Sequence, residues 1–247
     1  MSSNARKDIH NSEVPLLCIS CEARHRGICG ALTPTELIEL SKQTSKHSFE
    51  AGRPISADGE SIHRYSNILH GVVKLAKLTS DGRQQIVGLQ FAPDFLGRPF
   101  QARSDYDVEA ATEVQVCSFP KDSLDRLTKL NPELEHRLHA QTLKELDEAR
   151  DWMLALGRKS AAERVASFLF FIAQHIHPEK NETGGGVHFD IPLSRSDMAD
   201  FLGLTIETVS RQMTKLRQGH VIEIINNRTI SVADMAKLKS VSETNIN

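Results

Sequence analysis

The four cysteines of this chain are placed as the ligands of a metal centre would be. Cys18, Cys21 and Cys29 fall within twelve residues near the chain start, and Cys117 lies far downstream. Four thiolates are a ligand set that iron–sulfur clusters and structural zinc both use. The spacing therefore predicts that three thiolates from an N-terminal segment and one from a folded domain hold a metal, which ties the chain start to the core.

A histidine inside this segment raises a zinc alternative. His25 lies between Arg24 and Arg26, a setting in which a histidine is more often simply solvated. Because four cysteines already fill a tetrahedral site, we predict the cysteines alone as metal ligands.

Composition and charge narrow the classes of function. The 247 residues suffice for two modest domains, and no apolar run is long enough to cross a bilayer, so we expect no membrane association. The polar, charged opening of the chain is unlike a signal peptide, which predicts a cytoplasmic protein with reduced thiols. The net charge is −2, so any contact with nucleic acid must come from a local patch.

Two patterns of secondary structure follow the cysteine-rich segment. Thr33, Pro34 and Glu36 predict a capped helix start. Between residues 47 and 120, short apolar stretches alternate with turn signals containing glycine, aspartate and proline, a pattern typical of a compact β-barrel or roll. Cys117 belongs to the last of these predicted strands, so the roll would supply the fourth thiolate.

A long helical stretch at residues 121–157 carries a narrow apolar stripe lined by acidic side chains. Such a stripe is typical of a coiled-coil seam and too narrow for ordinary core burial, so it predicts a homodimer. A helix packed within its own domain is the alternative. The predicted dimerisation residues are Leu138, Thr142, Leu146, Ala149, Met153 and Leu156.

Residues 193–216 have the layout of a helix-turn-helix. Ser194 caps a first helix, Gly203 permits the bend, and Thr205 caps a second helix. A hairpin follows at residues 222–232 and would form the wing of a winged helix. The apolar residues that the second helix is expected to bury are Ile206, Val209, Met213 and Leu216.

The outward side of the second helix carries groups that can read bases. Glu207 can accept a hydrogen bond from cytosine, and Arg211 can donate two to guanine. A surface salt bridge between these two residues is the alternative, but the capped helix pair and the wing favour base reading. The predicted DNA contacts are Glu207, Ser210, Arg211, Lys215, Ser194, Arg195 and Thr205.

Over nearly its whole length the chain resembles the CRP/FNR superfamily of bacterial regulators, and specifically the FNR branch, the oxygen-sensing regulators of fumarate and nitrate reduction. The motifs that carry the resemblance are Ser160-Ala161-Ala162-Glu163-Arg164-Val165 at the interdomain junction and Glu207-Thr208-Val209-Ser210-Arg211 in the recognition helix. The resemblance implies an α+β fold with an N-terminal cyclic-nucleotide-binding-like β-roll, a long dimerisation helix and a C-terminal winged helix-turn-helix. The implied divisions are a cluster-ligand segment at 1–32, the sensory roll at 33–132, the dimerisation helix at 133–160, the DNA-binding domain at 161–240 and a tail at 241–247.

The same resemblance implies a transcription activator that binds double-stranded DNA as a homodimer while a 4Fe-4S cluster is intact. Cys18, Cys21, Cys29 and Cys117 would hold the cluster, and the DNA site would be an inverted repeat of a TTGAT-type half-site. Oxygen would convert the cluster to a 2Fe-2S form and release the DNA. RNA polymerase is an implied partner, with the loop at residues 80–83 as a candidate contact.

The chain departs from the best-known members in its cysteine spacing, which is C-x2-C-x7-C instead of C-x2-C-x5-C. Two extra residues lengthen a loop without removing a ligand, so the assignment of the cluster stands. Cyclic AMP is not expected as a ligand. The catabolite-regulator branch holds it with a Gly-Glu pair and a later Arg-Ser pair, whereas this chain has Gly97-Arg98 and Arg103-Ser104, and Arg98 replaces the ribose-binding acid.

Two other functions stay open on the sequence. A cluster-free CRP/FNR-type regulator, whose cysteines bind structural zinc or sense oxidants, is the nearer one. An iron–sulfur electron-transfer protein is more distant, because no flavin, nicotinamide or partner-cysteine motif accompanies the cysteines. No Ser/His/Asp or metal–water constellation is evident, so we predict that the protein is not an enzyme.

Overall fold

A computed structural model of the chain describes residues 14–19, 21–176, 186–226 and 228–243. Contacts between Cα atoms divide the chain into two compact units, residues 1–77 with 89–146 and residues 78–88 with 147–247. The first thirteen residues and the last four of the predicted tail lie outside the described residues. The predicted domain boundaries stay predictions.

The described part of the first unit contains four short helices, a β-roll and two further helices. The short helices are α1 (Leu16–Ile19), α2 (Glu22–His25), a 3-10 helix (Ile28–Ala31) and α3 (Pro34–Ser41). The strands are β1 (Ser45–Phe49), β2 (Pro54–Ser56), β3 (Arg64–His70), β4 (Val72–Leu78), β5 (Gln84–Phe91), β6 (Phe95–Leu96), β7 (Asp107–Ala110) and β8 (Val114–Pro120). The helices are α4 (Lys121–Leu130) and α5 (Pro132–Arg158), whose second half belongs to the other unit.

The predicted roll is confirmed as two four-stranded sheets with strand orders β1-β8-β3-β6 and β2-β7-β4-β5. Strand β8 lies between β1 and β3 and is antiparallel to both, so Cys117 is paired with Lys46 on one side and Asn67 on the other. The apolar residues between the sheets are β-branched or small, which suits strands that pack face to face. They include Ile68, Val73, Val108, Ala110, Val114 and Val116.

A second core joins the cysteine-rich segment to the roll and the helices. Ile28 is 2% exposed and packs in one cluster with Leu37, Phe119 and Leu134. The predicted start of α3 is also confirmed, because the Thr33 side chain and Glu36 satisfy each other's backbone N–H groups. The cysteine-rich segment is therefore part of the folded unit.

The second unit is a winged helix-turn-helix, as predicted. Its elements are α6 (Ala161–Ile176), β9 (Val187–Asp190), α7 (Arg195–Leu202), α8 (Ile206–Gln218), β10 (Glu223–Ile224), β11 (Thr229–Val232) and α9 (Met235–Ser242). The three strands form one sheet in the order β10-β11-β9. The tip of the β4–β5 hairpin, residues 78–88, also belongs to this unit, where Gln85 Nε2 donates to the Phe201 carbonyl at 3.3 Å.

None of the described helices combines the length and the apolarity that crossing a bilayer requires.

Candidate metal centre and DNA-binding surface

The fold brings the predicted metal ligands to one side of the roll. Cys18 lies in α1, Cys21 immediately precedes α2, Cys29 lies in the 3-10 helix and Cys117 is on β8. Cys18, Cys29 and Cys117 line one cavity of about 280 Å³, part of which is open to solvent. We call the four cysteines together the thiol site.

The electrostatics of the thiol site show that its members influence one another. The pKa of Cys29 is raised to about 12, mainly by burial and in smaller part by the nearby Cys117 and Cys21, while the hydrogen bond from Asn67 lowers it. The pKa of Cys117 is raised to about 11, again mainly by burial, with smaller contributions from Cys21 and Cys18. Thiols must lose their protons to bind a metal. A cation bound between these cysteines would offset the repulsion between their thiolates and so favour the deprotonated form.

The cysteine-rich segment is fastened to the start of α5. Arg137 Nη1 donates to the Gly27 carbonyl at 3.1 Å, and Asn131 Nδ2 donates to the Ala31 carbonyl at 3.2 Å. A Cβ atom on Gly30 would lie 2.3 Å from Arg137 Nη1 and 2.7 Å from the backbone carbonyl oxygen of Arg24, so any larger residue would force the backbone to shift. Asn131 Oδ1 also accepts the backbone N–H groups of two residues in the first turn of α5, so one side chain both caps that helix and holds the segment.

Two polar side chains near the thiols are already engaged. Asn67 is 1% exposed, and its Nδ2 donates to Cys29 Sγ at 3.1 Å. His25 Nε2 is 3.2 Å from the Ile19 carbonyl oxygen. This contact occupies one of the two ring nitrogens through which a histidine can bind a metal.

The spacing of the thiols bears on the kind of metal centre they can hold. A single tetrahedral zinc with bonds of about 2.3 Å needs sulfurs about 3.8 Å apart. Among the described residues, no three thiol, imidazole or carboxylate groups lie close enough to hold one ion. The donor chemistry fits an iron–sulfur cluster, which distributes its four thiolates over several iron atoms.

The helix-turn-helix is assembled as its sequence predicts. Ser194 caps α7 and forms a reciprocal capping box with Asp197. Gly203 ends the helix with a φ of 60°, which L side chains rarely adopt. Thr205 Oγ1 then accepts the Thr208 N–H at 3.2 Å and caps α8.

The outward face of α8 carries the residues expected to read bases. Glu207, Ser210, Arg211 and Lys215 are all exposed. Arg211 Nη2 donates to Thr208 Oγ1 at 3.1 Å, not to Glu207. The pKa of Glu207 is lowered by hydrogen bonds to its own backbone N–H and to Thr205, with a smaller contribution from Arg211, so this carboxylate is ionised.

Two expectations for this region need adjustment. Ile206, the first residue of α8, was expected to be buried but is 46% exposed. An exposed apolar side chain on this face can contact a thymine methyl group. Arg195 is half-buried, and its Nη1 lies 3.2 Å from Met198 Sδ.

The wing adds a basic residue that the sequence analysis did not select. Asn226 Oδ1 accepts the N–H groups of Arg228 and Thr229 at 2.8 and 2.7 Å and so closes the turn. Arg228 is exposed at this turn. Its position beside a tight turn in the wing is the signal that could have identified it.

The exposed apolar stripe of α5 differs from the predicted seam. Leu138 is 5% exposed and belongs to the core of the first unit, and Leu156 is half-buried, whereas Thr142 and Ala149 are exposed as expected. The exposed large apolar residues of α5 are Leu143, Leu146, Met153 and Leu154. Leu146 and Met153 belong to both sets, so the exposed stripe overlaps the predicted seam and extends beyond it to Leu143 and Leu154.

Arg164 connects three helices within the second unit. Its guanidinium donates to the carbonyls of Leu156 at 2.7 Å, Lys159 at 2.9 Å and Leu202 at 3.1 Å. These acceptors lie at or just beyond the C-terminal ends of α5 and α7, where carbonyls lack helical partners. Close by, the rings of Trp152 on α5 and Phe201 on α7 are 4.5 Å apart.

A β-roll, a long helix and a winged helix-turn-helix together define a DNA-binding transcription regulator. Residues 46–131 match the family described as "Cyclic nucleotide-binding domain", and residues 163–241 match "Crp-like helix-turn-helix domain". A "Probable transcriptional activator" of Rhizobium leguminosarum is 53% identical over 95% of this chain and 97% of its own length. "Transcriptional activator protein FnrL" of Cereibacter sphaeroides is 39% identical over 92% of this chain and 93% of its own length.

Among solved structures, FixK2 from Bradyrhizobium japonicum superimposes with a TM-score of 0.73 at 29% identity, covering 82% of this chain and 98% of FixK2. The chain belongs to the CRP/FNR family of transcription regulators. It is a DNA-binding transcriptional activator of this family and not an enzyme, as predicted.

Proposed function

We propose that the protein is an oxygen-responsive activator that binds DNA as a homodimer while Cys18, Cys21, Cys29 and Cys117 hold a 4Fe-4S cluster. The observation that carries the proposal is the thiol site, in which the cysteine-rich segment meets Cys117 of the roll at one cavity. The cluster, when bound, supplies the reactivity toward oxygen. The cytoplasm, where thiols stay reduced, is the compartment that this proposal requires.

The attachment of the cysteine-rich segment to α5 supports a link between metal binding and dimerisation. Ligation would hold the segment in place, and Arg137 and Asn131 connect the segment to the first turns of α5. The same helix carries the exposed apolar stripe that begins at Leu143. Metal binding would therefore stabilise the first half of α5, the part of the helix that leads into the stripe.

The DNA site in this proposal is an inverted repeat of TTGAT-type half-sites. Arg211 and Glu207 would provide the donor and the acceptor for a G·C pair, and the exposed Ile206 would contact a thymine methyl group. Two recognition helices related by a two-fold axis would address half-sites about one helical turn apart.

The roll of this activator is proposed to work without cyclic AMP. Arg98, at the position of the ribose-binding acid, pairs with Asp105 and lies over the Tyr106 ring at 5.5 Å. Those contacts occupy the guanidinium within its own loop. The exposed turn at residues 80–83 remains the proposed contact with RNA polymerase.

Anaerobic purification with iron, sulfide and zinc analysis and a visible spectrum tests the proposal. We expect about four iron and four sulfide per chain. Exposure to air should then bleach the spectrum, dissociate the dimer in sedimentation and release a TTGAT repeat. One zinc per chain without sulfide, or a dimer that air leaves unchanged, would contradict the proposal.

A further inference from the structure

A buried asparagine lies between the roll and the thiol site. Asn67 is on β3, directly opposite Cys117 in the β3–β8 ladder, and only 1% of its surface is exposed. Its Nδ2 donates to Cys29 Sγ at 3.1 Å. One side chain thus connects the roll to the last cysteine of the N-terminal segment.

Within the described part of the chain, only the nitrogen of the Asn67 side-chain amide has a hydrogen-bond partner. Its Oδ1 has no hydrogen-bond partner among the described residues, and leaving a buried polar atom unsatisfied costs stability. A leucine of similar size would avoid that cost. The contact with the Cys29 sulfur is therefore the feature that distinguishes an amide from an apolar residue at this position.

We propose that Asn67 is a positioning residue that sets how strongly the metal centre resists oxygen, an inference that rests on the proposed function. A hydrogen bond to a cysteine sulfur withdraws electron density from the thiolate and shifts the potential of the attached iron. The same bond fixes the direction of the Cys29 side chain. Asn67 thereby makes the centre harder to oxidise and keeps Cys29 bound to its iron.

The chain contains a matched control for the substitution Asn67→Leu. Gln90 is another buried amide of the first unit, 5% exposed, whose Oε1 likewise has no hydrogen-bond partner among the described residues. Its Nε2 donates to the Phe95 carbonyl and to Glu145. Gln90→Met therefore also removes a buried, half-satisfied amide. The lost hydrogen bonds go to oxygen atoms and not to a cysteine sulfur.

The experiment compares wild type, Asn67→Leu and Gln90→Met after anaerobic purification. Iron and sulfide per chain, the decay of visible absorbance in air-saturated buffer and the reduction potential are measured for each. We expect Asn67→Leu to assemble the cluster but to lose it about tenfold faster, with a lower potential. Gln90→Met should match wild type in the rate of decay and in the reduction potential, even if its melting temperature changes.

The possible outcomes separate the two proposals. A wild type without iron and sulfide overturns the proposed function. A wild type with the cluster, combined with unchanged decay and potential in Asn67→Leu, overturns the role of Asn67 alone, even if the variant melts earlier. If Asn67→Leu does not fold, Asn67→Ala, which fits the same space, replaces it and is judged by the same two measurements.

Discussion

Cys117 could be either a metal ligand or an ordinary half-buried residue of its strand, and a substitution separates the two roles. We predict that Cys117→Ser purified without oxygen holds well under four iron per chain, because a site with three thiolates leaves one iron corner open. Iron and sulfide analysis with a visible spectrum measures the loss.

The neighbour Val116 provides the control for packing. It is 2% exposed on the same strand, so Val116→Ala should lower the free energy of unfolding by roughly 2 kcal/mol and leave the iron content unchanged. A full 4Fe-4S spectrum in Cys117→Ser would remove Cys117 from the ligand set.

Arg211 and Lys215 should differ in what they contribute to DNA binding. We predict that Arg211→Ala weakens binding by about 1–3 kcal/mol at the guanine and relaxes specificity there. Lys215→Ala, if Lys215 contacts phosphate, should weaken all sequences alike and reduce the salt slope by about one. Selection of binding sites under anaerobic conditions tests this, and an unchanged preference at the guanine in Arg211→Ala would exclude base reading.

Individual residues differ in how far sequence alone could assign them. The four thiols and the outward face of α8 were predictable because cysteine spacing, caps and helical periodicity are local signals. Asn67 and Arg137 were not, since both act on residues distant in sequence, Cys29 and Gly27. Ile206 was misassigned because helical periodicity does not show which residues of the first turn the rest of the fold covers.

At the scale of elements, Arg164 fixes the ends of α5 and α7 against α6. We predict that Arg164→Met destabilises the second unit by roughly 2 kcal/mol, since it removes the donor to three carbonyls. DNA affinity should fall by about tenfold, the equivalent of losing one such bond, while iron content and dimer mass stay unchanged. Calorimetry, anaerobic DNA titration and sedimentation provide the three measurements.

Two further variants make the test of Arg164 specific. Arg164→Lys should restore little, because an ammonium group cannot span acceptors arranged around a planar guanidinium. Arg158→Met removes an exposed charge from the last turn of α5 and should behave like wild type. Equal DNA affinity in Arg164→Met and Arg158→Met would show that Arg164 does not position the DNA-binding helices.

The seam of α5 shows why element type is easier to predict than element orientation. The sequence places apolar residues both on the side facing the first unit, at Leu134 and Leu138, and on the exposed side, at Leu143 and Leu146. Periodicity placed Leu138 and Leu146, one residue from each set, in a single stripe. Only the packing of the helix start, which Asn131 and Arg137 fix to the cysteine-rich segment, shows which side stays exposed.

At the scale of the whole molecule, the exposed stripe should determine the oligomeric state. We predict that Leu146→Glu gives a monomer by sedimentation even with the cluster intact, because the substitution places like charges across the seam. Binding to a full inverted repeat should weaken by at least about a hundredfold, since the two half-sites are no longer engaged together.

Leu130→Glu is the matched control for the seam. Leu130 ends α4 and is 74% exposed, so the same charge is introduced away from the stripe and should leave dimer mass and DNA affinity unchanged. A dimeric Leu146→Glu would place the seam on another face of α5.

The β4–β5 hairpin has a consequence for how such proteins can be recombined. Its tip belongs to the second unit, through Gln85 and the Phe201 carbonyl, although it lies in the middle of the roll in sequence. A chimera with one crossover between roll and DNA-binding domain would join a foreign hairpin to a native α7. Exchange of sensory modules among relatives should therefore succeed only when the hairpin tip and the DNA-binding domain come from the same parent protein. The pieces that can be exchanged are defined by contacts in the fold and not by continuous stretches of sequence.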